Sequence, residues 1–510
     1  MWFFRRRQHD SATGSSSGPS WPSHAEDQYR LVRQAFPTSD LTSRIVSPRA
    51  PFCAVLYLPA LVEAKELEQA LLQPLARLLS DSRLATQAAD RIPCLAVRDL
   101  EPVPSVEEAR TRLVDGWAIL FLDGLRTPVA AHLYQAPQPN VAPSEIEGLT
   151  IGVQESFVES LETNLGLLRK RIRSPQLRTA DFLIGRISRI PVRLLWIEGI
   201  ADPDYVQALS QRLTELDLDG VIDLPTLAQY IEDSSWTPFP LFLITPRPDV
   251  LAQGLLEGKV ALLMEGSPVG LLAPARFLDF FQSREDYTNR WLSASLLRFL
   301  RLTGFWASTS LTAMYIAVTS WHYQMIPPDL LIPFMESREK VPFHPFFEAL
   351  LLEVTVELLR EAGSRLPSKV GQTIGIVGGI VIGQAAVQAG LTSNILVIIV
   401  AMGTIASFVA PNYTMANAMR AMRFPMMVCA ALWGAFGIAF FTCLLVIHLI
   451  RQRSLGAPFL SPLLPFRLTD WGDTLWRFPL PLLRRRPSVN RAQQDQAVHR
   501  TPPPPRRPWP

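Results

Sequence analysis

The chain has 510 residues, 48% hydrophobic and 19% charged, with 49 Lys and Arg against 46 Asp and Glu for a net charge of +3. That length exceeds a single core, since domains run to about 100–200 residues, and the near-neutral charge offers no general surface for nucleic acid. Four scattered cysteines, Cys53, Cys94, Cys429 and Cys443, have no C-x-x-C spacing and no histidines at ligand distance, so they imply neither a zinc site nor a disulfide framework.

The N-terminus MWFFRRRQHD lacks the apolar core of a secretory signal, so the soluble half is expected to stay in the cytosol. Residues 1–50 are expected to form a disordered tail, because residues 11–24 are rich in Ser, Gly and Pro. The G-x-S-x-G from Gly14 to Gly18 lies in this tail, without the strand and helix that a nucleophile elbow needs. A first soluble α/β subdomain is expected over residues 51–145, with a strand at Cys53–Leu58, a helical stretch to Leu79, and a hairpin built from Trp117–Leu122 and the Asp123-Gly124 turn. A second is expected over 146–283: helical from Glu155, then strands at Val192–Ile197 and Leu241–Thr245, then a hairpin from Val260–Met264 and Glu265-Gly266. The hairpins echo one another, with Asp115-Gly116 and Gly124 at the offsets of Glu257-Gly258 and Gly266. Shared turn chemistry explains this, and so does a pair of related subdomains.

Arg284, Arg290, Arg298 and Arg301 precede the first apolar span, the arrangement of a cytosolic start. The expected architecture is therefore a soluble α/β region followed by an α-helical multi-pass transmembrane domain over 284–453, with spans at 302–321, 370–389, 394–410 and 424–450. An arginine- and proline-rich tail over 454–510 returns to the cytosol, so the crossings are even in number, and four are expected. Arg420 and Arg423 flank one end of the last span while Arg451 and Arg453 flank the other, which the positive-inside rule cannot satisfy together. Phe346–Gly363 places Glu353, Glu357 and Glu361 on one helical face, which suits the membrane interface or a water-filled cavity better than lipid.

Gly371, Gly375, Gly379 and Gly383 recur every four residues in an apolar helix, a stripe that lets another backbone approach closely, within the subunit or between subunits. Gln384 and Gln388 fall opposite the stripe and need either an interhelical hydrogen bond or a hydrated pore or cavity. The basic run Arg169-Lys170-Arg171 with Arg173 is either a solvated face or a contact for anionic headgroups or an acidic partner. No phosphate loop, catalytic pair, metal site or cofactor motif stands out, so the chain is not expected to be an enzyme; a membrane-tethered enzyme would need a catalytic pair in a deep pocket.

Several motifs stand in a fixed order along the chain. In the soluble half they are Ser156 to Ser160, Thr163-Asn164, Leu167 to Arg173, Phe239-Pro240, Arg247-Pro248-Asp249 and Glu257-Gly258. In the apolar half they include Glu285-Asp286-Tyr287, Met325-Ile326-Pro327, Val341-Pro342-Phe343, Leu358 to Gly363, Gly371-Gln372, Gly383-Gln384-Ala385, and Ser454 to Pro462. In this order the motifs resemble the A subunits of GerA-type spore germination receptors, with departures at Val153-Gln154-Glu155, Pro246 and Thr312. The resemblance implies a multi-pass subunit of the spore inner membrane, contacting membrane lipid and working with a transporter-like B subunit and a lipoprotein C subunit. It also implies homo-oligomers that pass germinant signals into ion release, with no cofactor. A non-conducting scaffold, or an accessory subunit resembling the stage V sporulation AF proteins, is the alternative.

Overall fold

The computed structural model describes residues 21–48, 51–80, 88–95, 97, 99–134, 152–365, 379, 381 and 383–497. The chain divides into two compact units, one of residues 1–139 and 162–181 and the other of 140–161 and 182–510.

In the first unit, helix α1 (Ala25–Ala35) precedes strands β1 (Thr42–Ser47), β2 (Cys53–Tyr57), β3 (Leu100–Pro102), β4 (Trp117–Leu122) and β5 (Val129–His132), with helix α2 (Val106–Val114) between β3 and β4. The strands form an antiparallel sheet ordered β1-β2-β4-β5-β3. Alternate residues along a strand face opposite sides. Ala54, Leu56, Ile119 and Phe121 therefore pack on α1 and α2, while Cys53, Val55, Leu120 and Leu122 pack beneath the helical stretch that ends at Gln73–Ser80. Both faces are covered, which explains the nearly continuous apolar runs. The expected disorder through residue 50 is corrected here: α1 buries Tyr29 and Val32, Phe36 joins the same core, and β1 pairs with β2. The serine-rich segment that prompted the expectation lies mostly outside the described residues.

Helix α3 (Leu161–Arg171) and strand β6 (Leu177–Ile184) follow. Next come β7 (Ile190–Ile197), helices α4 (Pro203–Glu215) and α5 (Leu224–Ile231), β8 (Leu243–Thr245), helix α6 (Pro248–Leu256), β9 (Val260–Met264) and β10 (Gly270–Ala273). The second sheet is ordered β6-β7-β9-β10-β8, the same permutation as the first. Each sheet also takes a helix directly into its central hairpin strand, α2 into β4 and α6 into β9. Both expected hairpins are present, and glycines at positive φ mark equivalent turns: Gly116 (83°) and Gly124 (96°), then Gly258 (93°) and Gly266 (78°). A shared strand order goes beyond shared turn chemistry and makes the two sheets related in topology.

Beyond the second sheet stand α7 (Trp291–Ser320), α8 (Pro328–Arg338), α9 (Pro345–Arg365), α10 (Asn394–Ser407) and α11 (Tyr413–Arg451). Among the described residues, α11 is the one helix long and apolar enough to cross a membrane by length and composition; α10 is apolar but 14 residues long. Most of the expected span 370–389 lies outside the described residues.

The 39-residue α11 is not one straight rod. Drawn straight, Met415 and Leu449 would stand about 50 Å apart, yet both belong to one core with Phe277, Phe305 and Phe459. The helix reverses at Gly434, whose φ of 59° and ψ of −135° are non-helical. The expected single span 424–450 is corrected accordingly, since it runs across this bend. The described part of the C-terminal region is likewise packed. Ser454 donates to the carbonyl of Leu241 (2.6 Å), and Asn490 donates to that of Glu257 (3.0 Å).

Candidate functional site

The site expected from the sequence has two parts, the acidic face of α9 and the helix carrying glycines and glutamines. The three α9 acids sit in different environments. Successive residues four apart rotate by about 40° around a helix, and their side-chain exposures rise in step: 0% for Glu353, 21% for Glu357 and 59% for Glu361. Glu353 forms an ion pair with Arg423 and accepts from the Thr312 hydroxyl (2.6 Å). Arg423 also donates Nε to the Ser308 carbonyl (2.8 Å), so α7, α9 and α11 meet at one buried charge pair. Glu357 pairs with Arg360 and, at 3.9 Å, with Arg420. Glu361 pairs with Arg365 one turn on (2.6 Å), outside the bundle.

The sequence reading missed Glu348 and the partners of the stripe. Glu348 is buried, five residues before Glu353 and so off the four-residue repeat; it accepts from the Ser393 amide (2.7 Å) and the Thr392 hydroxyl (3.3 Å). The signal for the partners was present. Two acids four apart on one helix match two arginines three apart on an antiparallel neighbour, Glu353 with Arg423 and Glu357 with Arg420. These arginines are ion-pair partners, which removes them from any count of loop charge.

Gly371 and Gly375 lie outside the described residues. A Cβ placed on Gly379 would meet nothing within 4 Å, and one on Gly383 would meet only Val397 Cγ1, at 4.0 Å. Gln384 and Gln388 are exposed. Among the described residues, the only side chain within 4 Å of this part of the stripe is therefore Val397.

A second charged cluster, not expected from the sequence, lies where the second sheet meets α7. Buried Asp286 accepts from Arg298 (3.0 Å) and Arg301 (2.7 Å). Asp279 holds Lys259 (2.6 Å) and Arg276 (2.7 Å). Burial alone would raise the Asp279 carboxyl, but those two cations draw it well below the usual carboxylate range. Asp473 moves the other way, raised by burial despite Arg298 beside it, and it accepts from Tyr287 Oη (2.9 Å). A cavity of about 390 Å³ opens among these groups, lined by Arg247, Lys259, Asp279 and Arg301 together with residues 408–412. The cations and Asp279 are already in ion pairs, so the arrangement joins the sheet to the helices rather than offering a free charge. Among the described residues no group of His, Cys, Asp and Glu could hold a metal ion.

The family model for the Bacillus/Clostridium GerA spore germination protein matches residues 30–489. Spore germination protein GerQA of Bacillus cereus is 42% identical over 390 residues, 76% of this chain and 78% of that one. Spore germination protein KA of Bacillus subtilis (strain 168) is 37% identical over 436 residues, 85% of this chain and 80% of that one. The crystal structure of the N-terminal domain of the A subunit of the Bacillus megaterium spore germinant receptor GerK3 aligns with a TM-score of 0.38 and 27% identity, covering 51% of this chain and 97% of that one. With a family match over most of its length and relatives this similar, the chain belongs to the GerA family of spore germination proteins.

Proposed function

We propose that this chain is the A subunit of a nutrient germinant receptor in the spore inner membrane, and that copies of it assemble into an element that turns germinant signal into ion release. Its partners in this reading are a transporter-like B subunit and a lipoprotein C subunit. The soluble subdomains, 51–145 and 146–283, and the C-terminal segment face the cytosol, and 284–453 forms the multi-pass membrane domain.

The observation that carries the reading is the open glycine face. Gly379 and Gly383 forgo helix propensity of about 1 kcal/mol each relative to Ala, yet among the described residues nothing comes closer to them than Val397 Cγ1 at 4.0 Å from a Cβ on Gly383. In a membrane such a face suits close approach by another helix, and the exposed Gln384 and Gln388 supply polar groups on the opposite side. The Arg423–Glu353 pair closes the middle of a single bundle, so a conducting path belongs between copies. That same closure favours the second reading, a non-conducting scaffold or an accessory subunit resembling the stage V sporulation AF proteins.

Conductance of the full-length chain in planar bilayers separates the two, repeated with Gly379→Leu. Because a Cβ at 379 meets nothing within 4 Å among the described residues, the monomer should fold as before. Loss of oligomers and current is expected; unchanged oligomers with unchanged current would refute the role of this face. A wild type that assembles without conducting would establish the scaffold.

A further inference from the structure

The basic run on α3 is not the uniform solvated face that its composition allows. Arg169 is fully buried in the first unit, gripping Asp40 with Nε (2.7 Å) and Nη2 (2.8 Å). Its remaining nitrogen, Nη1, is buried and has no hydrogen-bond partner among the described residues. A buried donor left unmatched costs about 1–3 kcal/mol.

Arg169 is also one wall of a cavity of about 310 Å³, near the lower end of the size of small-molecule sites. Lys170 and Arg173 line it from the same stretch of chain, and Trp117 and His132 line it from the β4–β5 hairpin. Trp117 and His132 are directly paired across the hairpin, with ring centroids 4.8 Å apart, and the Arg112 guanidinium stacks over Trp117 at 4.4 Å. Trp117 is therefore held by two ring contacts, one to His132 and one to Arg112. The charge of Arg169 is already met by Asp40, so beyond its open Nη1 the cationic lining is Lys170 and Arg173, with Asp115 the one carboxylate among the lining residues.

We propose that this cavity is a binding site for a compact oxyanion, phosphate or carboxylate. Guanidinium and ammonium groups converging on a small cavity match the lone pairs of such an anion. The anion would give Arg169 Nη1 its missing acceptor, and the imidazole of His132 adds one more possible donor. The site lies within the first unit and does not depend on the channel reading.

The test uses the full-length chain in detergent micelles, titrated with radiolabelled inorganic phosphate and, separately, with succinate as competitor. Saturable binding at one site per chain is expected. Lys170→Glu with Arg173→Glu should weaken it by at least about tenfold, because two charge-assisted contacts become repulsive. Arg173→Gln alone should weaken it less, and it serves as the readout if the double variant melts early without ligand. Phosphate displaced by vesicles containing phosphatidylglycerol would identify the natural oxyanion as a lipid headgroup; displacement by succinate and not by vesicles would identify a soluble anion. Absence of saturable phosphate and succinate binding, or undiminished binding in a correctly folded double variant, would overturn the site.

Discussion

At the scale of single residues, the helical region is organised by one buried charge pair. Glu353 and Arg423 have side-chain exposures of 0% and 2%, and both carry further hydrogen bonds to α7. Breaking a buried pair by removing one partner leaves an uncompensated charge and costs about 3–5 kcal/mol, whereas replacing both with apolar groups of similar size is often nearly neutral. Glu353→Ala is therefore expected to be severely destabilising in detergent micelles, and Glu353→Leu combined with Arg423→Met should recover most of the loss. A single variant that melts like the parent would mean that water or another group compensates Arg423. Glu361→Ala is the control, because its partner Arg365 is exposed and such surface pairs contribute about 0–1 kcal/mol.

At the scale of elements, what could be read from the sequence depended on how local the signal was. Both hairpins were legible, because Asp-Gly and Glu-Gly turns next to apolar strands fix their own geometry within a few residues. The acidic repeat on α9 was legible too, but its division into a buried, a half-buried and an exposed acid was not, since that is set by where neighbouring helices lie. The bend in α11 escaped notice because Gly434 and Gly437 stand in an unbroken apolar run. Periodicity cannot distinguish one long helix from two arms that fold back. A Cβ on Gly434 would come within 2.9 Å of Trp321 Cβ, and one on Gly437 would overlap the backbone carbonyl of Cys429 on the other arm. Gly434→Ala should cost about 1–3 kcal/mol from its backbone conformation alone, and Gly437→Ala more, since backbone cannot move aside. Gly403→Ala, in helix α10 with nothing within 4 Å, should be neutral or stabilise by up to about 1 kcal/mol. Thermal melting should place Gly437→Ala lowest, Gly434→Ala next and Gly403→Ala highest, and a harmless Gly437→Ala would mean the two arms are not in contact.

At the scale of the whole molecule, contacts rather than loop charges bear on how the helices cross a membrane. Tyr205 donates to the Val489 carbonyl (2.9 Å), and the amide of Gln493 donates to that of Ile200 (2.9 Å). On the proposed membrane reading, the second sheet's subdomain and the C-terminal segment would then lie on one side. The same reasoning reassigns individual crossings. A Cβ on Gly390 would come within 2.8 Å of the Lys340 carbonyl, Ser393 bonds Tyr315 Oη (3.0 Å), and Gly434 lies against Trp321 and His322. Residues 390–393 and the bend in α11 therefore share the end of α7 far from the second sheet, while 408–412 sit beside Arg301 at its near end. The four-span count puts 390–393 on the cytosolic side; if the helical region spans the membrane as proposed, these contacts instead put them with α8 and predict that the two arms of α11 cross separately. Single cysteines in a background lacking the four native ones can decide this with an impermeant maleimide. Leu391→Cys and Phe436→Cys should react from the same face as Met335→Cys, and Ile222→Cys and Leu482→Cys only from the other; all five parent side chains are exposed, Leu391 least at 39%. Labelling of Leu391→Cys together with Ile222→Cys would restore the crossing at 370–389 and return the bend of α11 to the bilayer interior.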